Sequence, residues 1–75
     1  MSVEDILSSD PEVMSGAVVF KGTRVPVAGL FEYLGSGDTL DEFLLDFPTV
    51  DRRQAEEAVR LAADDLEKLV TRHAA

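Results

Sequence analysis

The chain has no cysteine and no tryptophan, a single histidine at His73 and only three prolines. Without cysteine there is no disulfide and no thiolate metal site. One histidine gives no base for a serine nucleophile and no imidazole pair for a metal. Ser8, Ser9, Ser15 and Ser36 lie in loop-like stretches with no histidine near them in sequence, and Gly22 stands alone rather than in a phosphate-cradling glycine loop. The expectation is a protein that is not an enzyme and carries no cofactor and no metal. Basic residues are also scarce, with 7 Lys and Arg against 15 Asp and Glu and a net charge of −8. No apolar run approaches the roughly 20 residues that span a bilayer. Met1 to Asp10 lacks the basic start and apolar core of a secretory leader, so a cytoplasmic location is expected.

What is present is 45% hydrophobic content in 75 residues, enough for one folded domain, read here as 1–75. A chain this short buries only about 60% of its unfolded surface. With disulfides and metal excluded, self-association or folding against a partner is the expected way to complete the core.

The charge is uneven. Residues 1–16 carry −4, 17–37 carry +1, 38–50 carry −4 and 51–75 carry −1. An acidic surface repels DNA phosphates. Any nucleic-acid role therefore rests on Lys21, Arg24, Arg52, Arg53 and Arg60.

The pattern divides the chain into an N-terminal arm (1–16), a β-hairpin (17–26) and a helical region (27–72). In the arm, Val3, Ile6 and Leu7 fit one helical turn within Ser2 to Ser9, and Asp10-Pro11 favours a turn. Ile6 and Leu7 either clip the arm to the core or reach a second subunit. Ala17 to Phe20 is apolar and β-branched, Gly22 suits a tight turn, and Arg24 with Val25 forms the return strand. Pro26 suits the first turn of the helix that follows.

Three helices then follow. Val27, Leu30, Phe31 and Leu34 make the apolar stripe of the first, ended by Gly35 and Gly37. Thr39 with Glu42 forms a capping box for the second, whose stripe is Leu40, Phe43, Leu44 and Phe47 before Pro48. Asp51 with Gln54, and Val50 stapled to Ala55, start a third. The third keeps its stripe through Ala55, Ala58, Val59, Ala62, Leu66, Leu69 and Val70, about 33 Å in all. The first two helices are too short to cover its far end. Leu66, Leu69 and Val70 either form a dimer or partner surface or cover the hairpin of the same chain.

Two short helices across a glycine-bearing turn, then a third, is the outline of a helix-turn-helix. In that frame Arg52, Arg53 and Gln54 face bases in the major groove and Arg60 reaches phosphate. The same residues also fit a solvated face in which Glu56 pairs with Arg60 and Arg53 with Glu57. Lys21 and Arg24 either touch phosphate, or Arg24 anchors Glu32 or Asp46.

The segment Phe20-Lys21-Gly22-Thr23-Arg24-Val25-Pro26-Val27 closely resembles the family called domain of unknown function 433. The likeness begins upstream at Asp10-Pro11-Glu12-Val13-Met14-Ser15-Gly16. It continues through Leu30-Phe31-Glu32-Tyr33-Leu34, Leu40-Asp41-Glu42-Phe43-Leu44 and Asp46-Phe47-Pro48-Thr49-Val50. The resemblance implies a mainly α fold, in which a short N-terminal β-hairpin precedes a three-helix, homeodomain-like helix-turn-helix with a long C-terminal helix. It also implies an antitoxin of a bacterial toxin–antitoxin system, binding a small PIN-like nuclease and repressing its own operon through operator DNA. By the same likeness the acidic surface meets a basic, RNA-binding toxin face. The expected assembly is a homodimer or higher homo-oligomer, and the competing expectation is an acidic protein–protein interaction module without DNA binding.

Overall fold

The structure, a computed structural model, describes residues 2–9, 12 and 16–73, the side chains of 71–73 excepted. The Asp10-Pro11 turn expected from sequence lies outside the described residues. The elements in chain order are α1 (Val3–Ile6), β1 (Leu7–Ser9), β2 (Val18–Phe20), α2 (Val27–Gly35), α3 (Leu40–Asp46) and α4 (Arg52–His73). The fold is mainly helical, with a two-stranded antiparallel pair ahead of the long helices, as the sequence implies. None of the described helices is long and apolar enough to cross a membrane.

The strand pairing differs in one respect from the sequence reading. β2 takes its partner from the N-terminal arm, in the register Leu7↔Phe20, Ser8↔Val19 and Ser9↔Val18. The expected return strand at Arg24-Val25 shrinks to a turn. Phe20 N–H donates to Val25 O at 3.0 Å, and a single bridge joins Val19 to Pro26. Pro26 has no N–H, so a ladder on that side cannot continue. Gly22, at φ +80°, supplies the left-handed conformation that the turn needs. The helical turn expected over Ser2 to Ser9 stops at Ile6 because Leu7 to Ser9 gain a strand partner that an isolated turn lacks.

The core forms where the three apolar stripes meet the arm. Ile6, Phe20, Leu30, Phe43, Val50, Ala55 and Ala58 are buried together, so Ile6 does clip the arm to the core. Phe43 is its aromatic centre, with ring centroids 6.1 Å from Phe20, 5.3 Å from Tyr33 and 5.0 Å from Phe47. Each such side chain, once fully buried, contributes about 1.5–3 kcal/mol. The helix starts are capped as read from sequence. Glu42 N–H donates to Thr39 Oγ1 at 3.1 Å, and Thr39 N–H donates to Glu42 Oε1 at 3.1 Å. Asp51 N–H donates to Gln54 Oε1 at 3.0 Å, while Asp51 Oδ1 accepts from Arg53 N–H at 3.2 Å.

Candidate functional site: helix α4 and the turns that seat it

Helix α4 carries most of the residues that sequence singles out, and its two ends sit in different surroundings. The proximal end is built into the domain. Ala55 and Ala58 are buried, and Leu61 packs on the core from its edge. Gln54 is half-buried, and its Nε2 donates to Lys21 O at 3.0 Å and Ile6 O at 3.3 Å. One amide therefore caps α4, holds the end of α1 and holds the hairpin turn. With its nitrogen on two backbone carbonyls and its oxygen on Asp51 N–H, that side chain faces inward rather than toward a DNA groove. The sequence exposed the capping role of Gln54; the two cross-ties depend on packing between segments far apart in the chain.

The arginines of α4 are engaged with carboxylates. Arg52 is hydrogen-bonded and ion-paired to Asp41 of α3, with Glu56 at 3.7 Å on its other side. That pairing raises the Arg52 pKa, chiefly through the hydrogen bond to Asp41. Arg60 bonds Glu57 and reaches Asp64 at 3.0 Å, and the Glu57 hydrogen bond raises its pKa likewise. The expected Glu56–Arg60 and Arg53–Glu57 pairs do not form. Each acid takes the alternative partner one helical turn away, Glu56 with Arg52 and Glu57 with Arg60, because both spacings bring side chains together on a helix. Arg53 has no carboxylate partner among the described residues.

Lys21 donates to Glu4 O at 3.2 Å, and its charge acts on the Asp5 carboxylate without a direct ion pair. Arg24 makes neither the Glu32 nor the Asp46 contact expected of it. Asp46 instead accepts from the Tyr33 hydroxyl at 2.7 Å, and that bond pushes the Tyr33 pKa up. Nothing in the spacing of Tyr33 and Asp46 signals this link, which exists only because α2 and α3 pack side by side.

Beyond Ala62 the helix continues without a core beneath it. Leu66 is 63% exposed, Leu69 45% and Val70 69%, so these residues do not cover the hairpin. Spacings of three and four place them on one face, in line with Val59 and the half-buried Ala62. Isolated exposed leucines are ordinary; three apolar side chains within five residues on one helix face make a continuous patch. On α3, Leu45 is 79% exposed among Asp41, Glu42 and Asp46, a feature that the sequence stripe passes over.

A family model described as "Protein of unknown function (DUF433)" matches residues 7–62. The chain belongs to this family. The match takes in β1, β2, α2, α3 and the proximal part of α4, and it ends at the residue where α4 leaves the core. A family-like relative in Sinorhizobium fredii (strain NBRC 101917 / NGR234), "Uncharacterized protein y4eO", is 31% identical over 62 residues. That alignment covers 83% of this chain and 26% of the relative, so the chain spans about a quarter of the length of the curated relative it matches. No solved structure matches the chain.

Proposed function

We propose that this DUF433 protein is an antitoxin-like binding protein of the cytoplasm, acting by stoichiometric occupation rather than catalysis. In this reading the distal end of α4 docks on a small PIN-like nuclease and blocks its access to RNA. The observation that carries it is the exposed face of Leu66, Leu69 and Val70 on a helix whose proximal half is anchored. A rigid helix presenting an apolar face is a standard way to fill a partner's groove. The charge of −8 adds complementarity to the basic surface of an RNA-cleaving enzyme and speeds encounter. The resemblance of the Phe20 to Val27 segment, in order with Asp46-Phe47-Pro48-Thr49-Val50, supplies the nuclease as partner.

Operon repression is the second arm of the proposal, with the helix-turn-helix on operator DNA. It rests on Lys21, Arg24 and Arg53, which have no carboxylate in contact among the described residues. Arg52 and Arg60 contribute only by exchanging their carboxylates for phosphate. Those pairs favour the second reading, an acidic interaction and dimerisation module that does not bind DNA.

The test is co-expression with a small nuclease encoded beside it. A stable complex with suppressed RNA cleavage is expected. No complex, or a complex that cleaves at the full rate, rejects the antitoxin role. For the DNA arm, operator binding must weaken as salt rises, with a slope set by about three phosphate contacts. No binding at low salt leaves the interaction module.

A further inference from the structure

Strand β2 alternates its side chains, so Phe20 enters the core while Val19 points to the opposite face. That face is not open surface. Val19 is 3% exposed yet lies outside the core cluster, at the floor of a groove of about 660 Å³. Val25 and Pro26 extend the floor, and Phe47 forms a wall from the α3–α4 turn. The register places Ser8 opposite Val19, and the Val19–Pro26 bridge completes one row across the groove.

The polar groups of the groove are few. Arg24 lines it and has no hydrogen-bond or ion-pair partner among the described residues. Ser8, Thr23 and Thr49 line it too, with the Thr23 hydroxyl donating to Phe20 O at 2.8 Å. Among the described residues no Asp or Glu lines the groove, although the chain holds 15 of them. An apolar floor with a few convergent polar groups, at a volume within the roughly 300–1,000 Å³ of ligand pockets, is the usual form of a small-molecule site.

We propose that this groove binds a small organic monocarboxylate with an apolar body. The planar guanidinium of Arg24 matches a carboxylate through two parallel hydrogen bonds. Val19, Val25, Pro26 and Phe47 cover the apolar body, and Ser8 and Thr49 donate to the remaining oxygen lone pairs. One cation balances one negative charge. A dianion would carry a surplus charge into the field of a −8 chain. The site is separate from the distal α4 face and shares only Arg24 with the DNA arm of the proposed function.

The experiment is an amide-resolved NMR titration of the full chain with 3-phenylpropionate. Saturable shifts at Ser8, Arg24, Val25 and Thr49 are expected. The neutral isostere 3-phenylpropanamide, and the Arg24→Gln variant with the acid, should each bind about tenfold more weakly, the scale of one charge-assisted contact. Arg24 is exposed, so Arg24→Gln keeps the native spectrum elsewhere. Equal binding of acid and amide, non-saturating shifts, or shifts centred on Leu66 to Val70 overturn the proposal. So does an Arg24-dependent response to duplex DNA when the carboxylate gives none, which would assign the groove to phosphate.

Discussion

The two halves of α4 are one continuous helix and have opposite environments. From Arg52 to Leu61 it is capped by Asp51 and Gln54, tied to α3 through Arg52–Asp41, and buried at Ala55 and Ala58. Beyond Ala62, Leu66, Leu69 and Val70 keep the same periodicity and stand exposed. Periodicity alone does not distinguish an inward stripe from a docking stripe. The fully buried side chains of the proximal half are alanines, which let α4 approach the core closely, whereas the exposed ones of the distal half are leucines and valine. Small residues at a helix contact serve packing within the domain, and large ones on an unsupported face suit an interface.

Substitutions can break that comparison, and the largest effect belongs to the proximal half. Ala58→Asp buries an unpaired charge in the core cluster and should cost at least about 3 kcal/mol. Against a total of about 5–15 kcal/mol for a typical domain, chemical denaturation should show a chain close to unfolding. An intact denaturation curve for Ala58→Asp would mean that the proximal half is not anchored as described. Gln54→Ala comes next, with an expected loss of about 1–2 kcal/mol from one cap and two carbonyl contacts. Its hydrogen exchange should quicken at Lys21 and Asp51 before the rest of the domain.

The distal half should behave in the opposite way. Leu66→Glu replaces a side chain that is 63% exposed, and its unfolding free energy should stay within about 0.5 kcal/mol of wild type. Light scattering then reports whether self-association, if present in wild type, is lost. A folded monomer in both proteins removes the homodimer and leaves the stripe to a different partner.

The smallest effect concerns the seat of α3 rather than α4. Tyr33 is the single tyrosine, and its hydroxyl donates to Asp46. The hydrogen bond raises its pKa above the free value of 10.0, so the protonated phenol is the form that the fold favours. Its contribution to stability is complete below the unfolded pKa and is lost as pH rises through the folded one. Absorbance titration should place the midpoint above 10.0, and Asp46→Asn should move it back toward that value.

Much of this architecture was legible because it is local. The stripes of α2, α3 and α4 follow helical spacing, and the Thr39–Glu42 and Asp51–Gln54 caps are three-residue relations along the chain. The β1–β2 pairing was not legible, since Leu7 to Ser9 is three residues with no strand signature and its partner lies eleven residues on. The partners of the α4 arginines escaped for another reason. Each acid has arginines at both helical spacings, and a tie to Asp41 across the α3–α4 turn competes with them. Arg24 was recognised as a functional candidate, but the groove that gives it a setting depends on Ser8 of β1 and on Phe47 and Thr49 of the α3–α4 turn converging on it.

The central claim is that distal α4 is a protein-docking face on a fold that does not need it. Complex formation with the proposed PIN-like nuclease, read by size exclusion with light scattering, compares wild type with Leu66→Glu/Leu69→Glu. A wild-type complex is expected, with a doubly substituted protein that stays folded by circular dichroism yet elutes alone. A complex that survives both substitutions would contradict that claim.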